Sequence, residues 1–262
     1  MTQSWVGSKF NRKEDRRLLT GKGRYLADIN VPGALHLVFV RSQRAHAKIK
    51  RIDVSKALAL PGVVKVVTGA DIKNKIPSLP QPVVVPALPA RYPTFWPLAV
   101  GKVKFHGEPV AAIVATDKYV AEDAAEAVEV EYQDLPYVRD AEAALKKGAP
   151  KVHDDWEDNV IFTFTFTGGP DAESQKKNDE EVDKIIKEAP IVIRERFKTH
   201  RCGMTPMETR GALCLWDDVD GLTAYVTTQR PHIDRLALSD ILGIPAERVR
   251  VISPRDQAAS SA

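Results

Sequence analysis

The sequence predicts a mixed α+β fold in two parts, and three features carry that prediction. Short apolar runs of strand character alternate with capped helical segments through the first half. Proline- and glycine-rich stretches at 76–97 and 148–150 interrupt the pattern where connections or boundaries belong. Finally, 262 residues with 44% apolar content suffice for two separate cores.

In order along the chain, a polar, charged start precedes residues 35–40, Leu-His-Leu-Val-Phe-Val, a mostly buried strand. Residues 47–52 alternate apolar with basic side chains as a half-exposed strand does. Asp53 stands at the N-cap position of a short helix over 54–60 that Pro61 and Gly62 end, and 63–68 is a further strand. Residues 76–97 have no helical period and read as one extended proline-rich loop; excursions of that length inside a domain usually have a function or pack against something. Residues 110–115 return to buried strand. Asp117 then caps a helix over 118–128 whose Ala121, Ala124, Ala125 and Val128 share a face, small enough to lie close against a sheet. A strand at 128–132 and a short helix at 141–147 complete the first domain, which Gly148, Ala149 and Pro150 close.

Beyond it, a strand is expected at 161–167 and a charged helix at 174–188 with one narrow apolar stripe, Val182, Ile185, Ile186 and Ala189. A second domain begins near 191 with strands at 191–197, 212–216 and 222–227, the last two joined by a turn at 217–221. An amphipathic helix over 231–242 ends at Gly243, a suitable C-cap, before a final strand at 249–252. Residues 255–262 carry no core-forming pattern, so this domain is expected to be only begun. The expected boundaries are 10–150 for the first domain, 151–190 for a linker with the charged helix, and 191–262 for the second.

Composition excludes several classes of function. A net charge of +3 from 38 basic and 35 acidic residues spread along the chain offers no concentrated basic face for nucleic acid. The most membrane-like run, 109–116, is far too short to cross a hydrocarbon core of about 30 Å. Residues 1–10 lack the apolar core of a secretory signal, which leads to the expectation of a cytoplasmic protein. Cys202 and Cys214 form neither a CxxC pair nor a disulfide framework, so both are expected to be reduced thiols.

Local motifs of catalysis are largely missing. Gly21-Lys22-Gly23-Arg24 lacks the spacing and the Lys-Ser/Thr end of a phosphate-binding loop, as well as the third glycine of a dinucleotide fingerprint, and reads as a turn. There is no Gly-x-Ser-x-Gly elbow and no His-Glu-x-x-His pair. Histidines are scattered, and His200 with Cys202 supplies two soft ligands where zinc needs three or four. No residue is therefore assigned a metal-ligating role.

Longer segments are more distinctive. Leu19-Thr20-Gly21-Lys22-Gly23-Arg24-Tyr25-Leu26-Ala27-Asp28-Ile29, Val40-Arg41-Ser42-Gln43-Arg44-Ala45-His46-Ala47, Leu60-Pro61-Gly62-Val63-Val64 and Gly107-Glu108-Pro109-Val110-Ala111 occur in this order. They resemble the α/β-hammerhead domain that opens the large subunit of molybdenum hydroxylases, the xanthine dehydrogenase, aldehyde oxidase and carbon monoxide dehydrogenase family. Met207-Glu208-Thr209-Arg210-Gly211, Thr227-Thr228-Gln229-Arg230-Pro231-His232 and Val249-Arg250-Val251-Ile252 are similar to the start of its molybdopterin-binding domain.

The resemblance implies a component of an oxidoreductase that hydroxylates aldehydes, N-heterocycles or similar small molecules with water as the oxygen source. It implies a molybdopterin cofactor, plain or as the cytosine dinucleotide, shared with the remainder of the large subunit. Iron–sulfur clusters and FAD would sit on partner subunits. Gln229 matches the family glutamine beside the molybdenum centre, where an amide offers donors and an acceptor without adding charge. Glu208 and Arg210 match a pair expected to be a structural ion pair.

After Val-Arg-Val-Ile-Ser-Pro the family carries a glycine-rich loop, and further on a glutamate general base. Here Arg255-Asp256-Gln257-Ala258-Ala259-Ser260-Ser261-Ala262 follows instead. No catalytic residue is assigned, and the chain alone is expected to be inactive. The alternative is a non-catalytic assembly or interaction subunit built on the hammerhead domain, docking through the loop at 76–97.

Overall fold

Residues with one apolar face cannot stand alone as strands, and in the first half of the chain they close into two antiparallel sheets. The computed structural model describes residues 6–9, 11–80, 90–164, 171–200, 203, 205–206 and 208–254. Contacts divide the chain into two compact units, one of Met1–Pro80, Phe95–Leu135 and Met204–Ala262, the other of Gln81–Thr94 and Pro136–Gly203.

In the first unit, β1 (His36–Arg41), β3 (Val63–Thr68) and β5 (Pro109–Ala115) form a sheet in the order β1-β5-β3. β5 takes the centre because it is apolar on both faces: Val110, Ala111, Ala112, Ile113 and Ala115 are all buried. Ile113 lies opposite Val38 on one side and Val66 on the other.

Helix α4 (Lys118–Glu126) packs on this sheet. Asp117 caps it as expected, its Oδ1 accepting the backbone N–H groups of Tyr119 at 2.8 Å and Val120 at 3.4 Å. Ala121 and Ala124, fully buried, let the helix approach Ala57, Ile113 and Ala115 closely. The helix stops short of the expected 128, where the chain turns into β6 (Glu129–Asp134). That strand belongs to a second sheet, β4-β2-β6, with β2 (Ala47–Asp53) central and a two-residue β4 (Lys102–Val103) at its edge.

Two short helices depart from expectation. α2 (Ser55–Leu58) is a single turn rather than 54–60, and Val54 occupies its N-cap position. Asp53 still does the capping chemistry from one residue earlier, because its Oδ1 accepts from both the N–H and the hydroxyl of Ser55. α3 (Gly69–Ile72) was not anticipated; it starts from a reciprocal capping box in which Thr68 and Asp71 satisfy each other's backbone groups. Gly69 is required there because a Cβ would lie 2.0 Å from the Ala99 carbonyl oxygen.

Gly21-Lys22-Gly23-Arg24 is a turn, as its spacing predicted. Helix α1 (Asp15–Leu19) ends in a Schellman motif: Lys22 N–H donates to Arg17 O at 2.9 Å and Gly21 N–H to Leu18 O at 3.2 Å. Gly21 adopts φ +69°, the left-handed conformation that motif needs.

The third sheet joins β7 (Ala212–Asp217), β8 (Gly221–Val226) and β9 (Val249–Ile252). β7 and β8 form an antiparallel hairpin whose turn is held by Asp217 Oδ1, an acceptor for Val219 and Asp220 N–H. β8 and β9 are parallel, with helix α7 (Pro231–Leu242) between them in sequence. Gly243 ends α7 at φ +64°, as its C-cap position predicted. Arg235 Nε reaches the carbonyls of Ala246 and Val249, fixing the helix to the return segment.

In the second unit, α5 (Ala141–Ala144) is capped by Asp140 and is shorter than the expected 141–147. Asn159 binds the carbonyls of Ala144 and Pro150 and the N–H of Val152, closing the loop after α5. Trp156 is buried there with His153 stacked on it. Helix α6 (Ala172–Glu188) begins at Asp171 and leaves Val182, Ile185 and Ile186 exposed.

Two expected strands are not found among the described residues. Residues 161–164 have no ladder, and the rest of that expected strand, 165–167, lies outside the described residues. Residues 191–197 also have no strand partner among the described residues, with Ile191 79% and Phe197 90% exposed. Strand propensity measures fit to a pleated, half-buried surface, and no strand among the described residues offers one to these segments. Ion pairs of Arg196 with Glu142 and of Lys198 with Asp140 tie the end of this segment and the residue after it to α5 and its cap. Within the expected loop at 76–97, the described residues 76–80 and 90–97 contain neither helix nor strand, while 81–89 lie outside the described residues. Residues 255–262 also lie outside them.

Candidate functional site

The parallel pairing of β8 with β9 sets up a strand–helix–strand unit, and in such units the loops at the carboxyl ends of the strands are where ligands meet the protein. Gln229 stands in that place, three residues after Val226 ends β8 and two before Pro231 opens α7. Pro231 suits the first helical position because its missing N–H would find no partner there.

Both sides of Gln229 are fixed. Thr227 N–H donates to the Gly211 carbonyl, and Thr227 Oγ1 accepts the Gly211 N–H at 3.0 Å. Thr228, only 7% exposed, accepts the N–H of Arg230 on its Oγ1 at 3.1 Å. Its carbonyl accepts the hydroxyl of Ser253, just past β9, at 3.1 Å. Arg230 pairs with Asp234 one turn into α7. The backbone around Gln229 is thus held from β7, β9 and α7, while the Gln229 side chain is exposed. A neutral amide on a fixed backbone can donate to or accept from a polar group outside the chain without bringing charge.

Other candidates are not brought together. Glu208 Oε1 accepts the N–H of Leu26 at 3.2 Å, and Arg210 is exposed. Cys202 and Met207 lie outside the described residues. Cys214 is exposed on β7, and desolvation of its sulfur raises the thiol pKa, the opposite of what a nucleophilic or ligating thiolate needs. Among the described residues no three His, Cys, Asp or Glu side chains gather as metal ligands. No helix among them is long and apolar enough to cross a membrane.

Among the described residues Glu108, 6% exposed, is the one buried carboxyl, and burial pushes its pKa above the ordinary carboxylate value. It accepts the Lys104 N–H, while its own carbonyl accepts from Ser42. Its groups hold a loop together.

Sequence reasoning singled out Gln229 as a candidate but gave no sign of the clamp beside it. Thr228 and Ser253 are 25 residues apart, and a serine after a strand has no signal of its own.

Residues 20–136 match the family described as aldehyde oxidase and xanthine dehydrogenase, a/b hammerhead domain, and residues 152–256 match the molybdopterin cofactor-binding domain. The chain is 36% identical over 257 residues to the carbon monoxide dehydrogenase large chain of Hydrogenophaga pseudoflava, covering 92% of this chain and 30% of that protein. It is 37% identical over 255 residues to the nicotine 6-hydroxylase large subunit of Paenarthrobacter nicotinovorans, covering 97% of this chain and 30% of that protein. Among solved structures, quinoline 2-oxidoreductase from Pseudomonas putida 86 superposes with a TM-score of 0.81 at 34% identity, over 97% of this chain and 30% of its own. The chain therefore spans about 30% of the length of these relatives.

Proposed function

The chain belongs to the aldehyde oxidase and xanthine dehydrogenase family, and on that premise we propose that it forms the N-terminal part of the molybdopterin-binding subunit of a molybdenum hydroxylase. The observation that carries the reading is the ordered pair of matched domains together with an exposed Gln229 on a clamped backbone at the carboxyl ends of β8 and β9. The domains that go with it are a hammerhead at 10–150, a linker with the charged helix at 151–190 and the start of the cofactor-binding domain at 191–262.

The substrates proposed are aldehydes, N-heterocycles or similar small molecules. When bound, the molybdenum cofactor, as plain molybdopterin or its cytosine dinucleotide, supplies the two-electron oxidation that lets water serve as the oxygen source. The contribution of this chain is positional. Gln229 is the residue that would hold the group, through its amide, and it fits because it is exposed, uncharged and set on a backbone that Thr227, Thr228 and Arg230 keep in place. The rest of the large subunit, an iron–sulfur subunit and an FAD subunit complete the assembly, in the cytoplasm.

The test is Gln229→Ala in the native assembly. The expected result is a turnover number lowered roughly tenfold to a hundredfold, in the range seen when a hydrogen-bonding partner around a metal site is removed. Thermal stability should be unchanged, since the side chain is exposed. Unaltered turnover with unaltered molybdenum content would sink the assignment and favour a non-catalytic assembly subunit.

A further inference from the structure

A peptide bond is planar, so the direction in which a residue sends its side chain is set once the planes before and after it are set. At Gln229 both planes are held, by different means. The plane after it is held locally, the Arg230 N–H donating to Thr228 Oγ1 at 3.1 Å, two residues back. The plane before it is held from far along the chain, the Thr228 carbonyl accepting the Ser253 hydroxyl at 3.1 Å. Ser253 follows Ile252, which ends β9 in register with Tyr225 of β8, so that hydroxyl refers the loop to the sheet.

The anchors on either side are Thr227, bonded to Gly211, and Pro231, which opens α7. Between them Ser253 ties the peptide next to Gln229 to β9. An exposed side chain on a loop free to rock spends little time in any one geometry, and a hydrogen bond to an outside group then repays less of its ordering cost. We infer that Ser253 is a positioning residue: its hydroxyl keeps the Gln229 backbone in the orientation from which the amide holds the molybdenum cofactor. It supplies neither charge nor proton to the site. The inference rests on the reading of Gln229 as a cofactor contact.

The test follows two quantities in the native assembly, the rate of molybdenum loss on dialysis and the exchange of the Thr227 and Arg230 amides by mass spectrometry. Ser253→Ala should speed both roughly fivefold, as loss of one neutral hydrogen bond does. Ser253→Thr, which keeps the hydroxyl, should restore both to the parent's rates. Ser239 donates its hydroxyl to the Ile244 carbonyl beyond the other end of α7, at 2.6 Å, so Ser239→Ala controls for the same chemistry and should alter neither rate. The decisive variant is double: with Gln229→Ala already present, Ser253→Ala should add nothing to molybdenum loss, whereas a merely structural serine would add its full effect. Full additivity, or parental rates in Ser253→Ala while Gln229→Ala loses molybdenum faster, would overturn this inference alone. Parental molybdenum loss in Gln229→Ala would overturn the reading of the site and this inference with it.

Discussion

At Gly221 two constraints fall on one residue. Its φ of +84° lies where a side chain is strained, and a Cβ there would stand 2.2 Å from the Arg248 carbonyl oxygen. Since that neighbour is backbone, it cannot swing aside, and Gly221→Ala is expected to lower stability by about 2–4 kcal/mol, read as a shift in urea midpoint. Glu108 sets a pH dependence of opposite sense to the usual acid. Its pKa is raised in the fold because burial penalises the charge, so the penalty is absent below the unfolded value near 4.5 and grows as pH rises through the folded value. Glu108→Gln should therefore compare less favourably with the parent at pH 4 than at pH 7. Melting temperatures of the two proteins across that range decide it, and a constant gap would refute the assignment. Residues of this kind are hard to read in advance: Gly107-Glu108-Pro109 shows as a distinctive string, but neither its burial nor the Lys104 amide it binds is written in the string.

Elements were recognisable where capping and period agreed. Asp117 with the alanines of α4, and Pro231 with Gly243 around α7, named both ends or a face of their helices, and the structure has them there. Asp117→Ala should cost about 1 kcal/mol through two unsatisfied N–H groups, while Asp117→Asn should recover most of it; chemical denaturation distinguishes the two. Errors arose where a pattern lacked a partner. Residues 191–197, Ile-Val-Ile-Arg-Glu-Arg-Phe, are rich in the β-branched and aromatic residues that strands favour, yet a strand also needs a neighbour to bond. The converse holds for β4, whose two residues are a strand because β2 supplies the ladder, not because Lys102 and Val103 carry a period.

For the whole molecule, the mixed α+β class was readable because most strands and helices are signalled locally, whereas the convergence of α1 on the ends of β8 and β9 joins residues some 200 positions apart and left no trace in spacing. The candidate site was readable only as the single residue Gln229. One neutral hydrogen bond contributes about 1 kcal/mol, against an association cost of at least about 4 kcal/mol, so the 262-residue chain by itself is expected to retain no molybdopterin and to show no dye-linked aldehyde oxidation. Metal analysis and assay of the purified chain test this, and stoichiometric molybdenum with turnover would contradict it.

The central place of β5 also imposes an order on synthesis. β1 and β3 do not bond each other; each bonds only β5, from opposite edges. While the ribosome is making residues 69–108, the first sheet has two rails and no middle, and its unpaired edges stay open to other chains until residue 115 emerges. The long proline-rich excursion lengthens that interval but adds little to the entropy of closing the loop, which grows only with the logarithm of its length. The vulnerable moment of this protein is thus a stage of its translation, shortened by anything that brings β5 out of the ribosomal tunnel sooner.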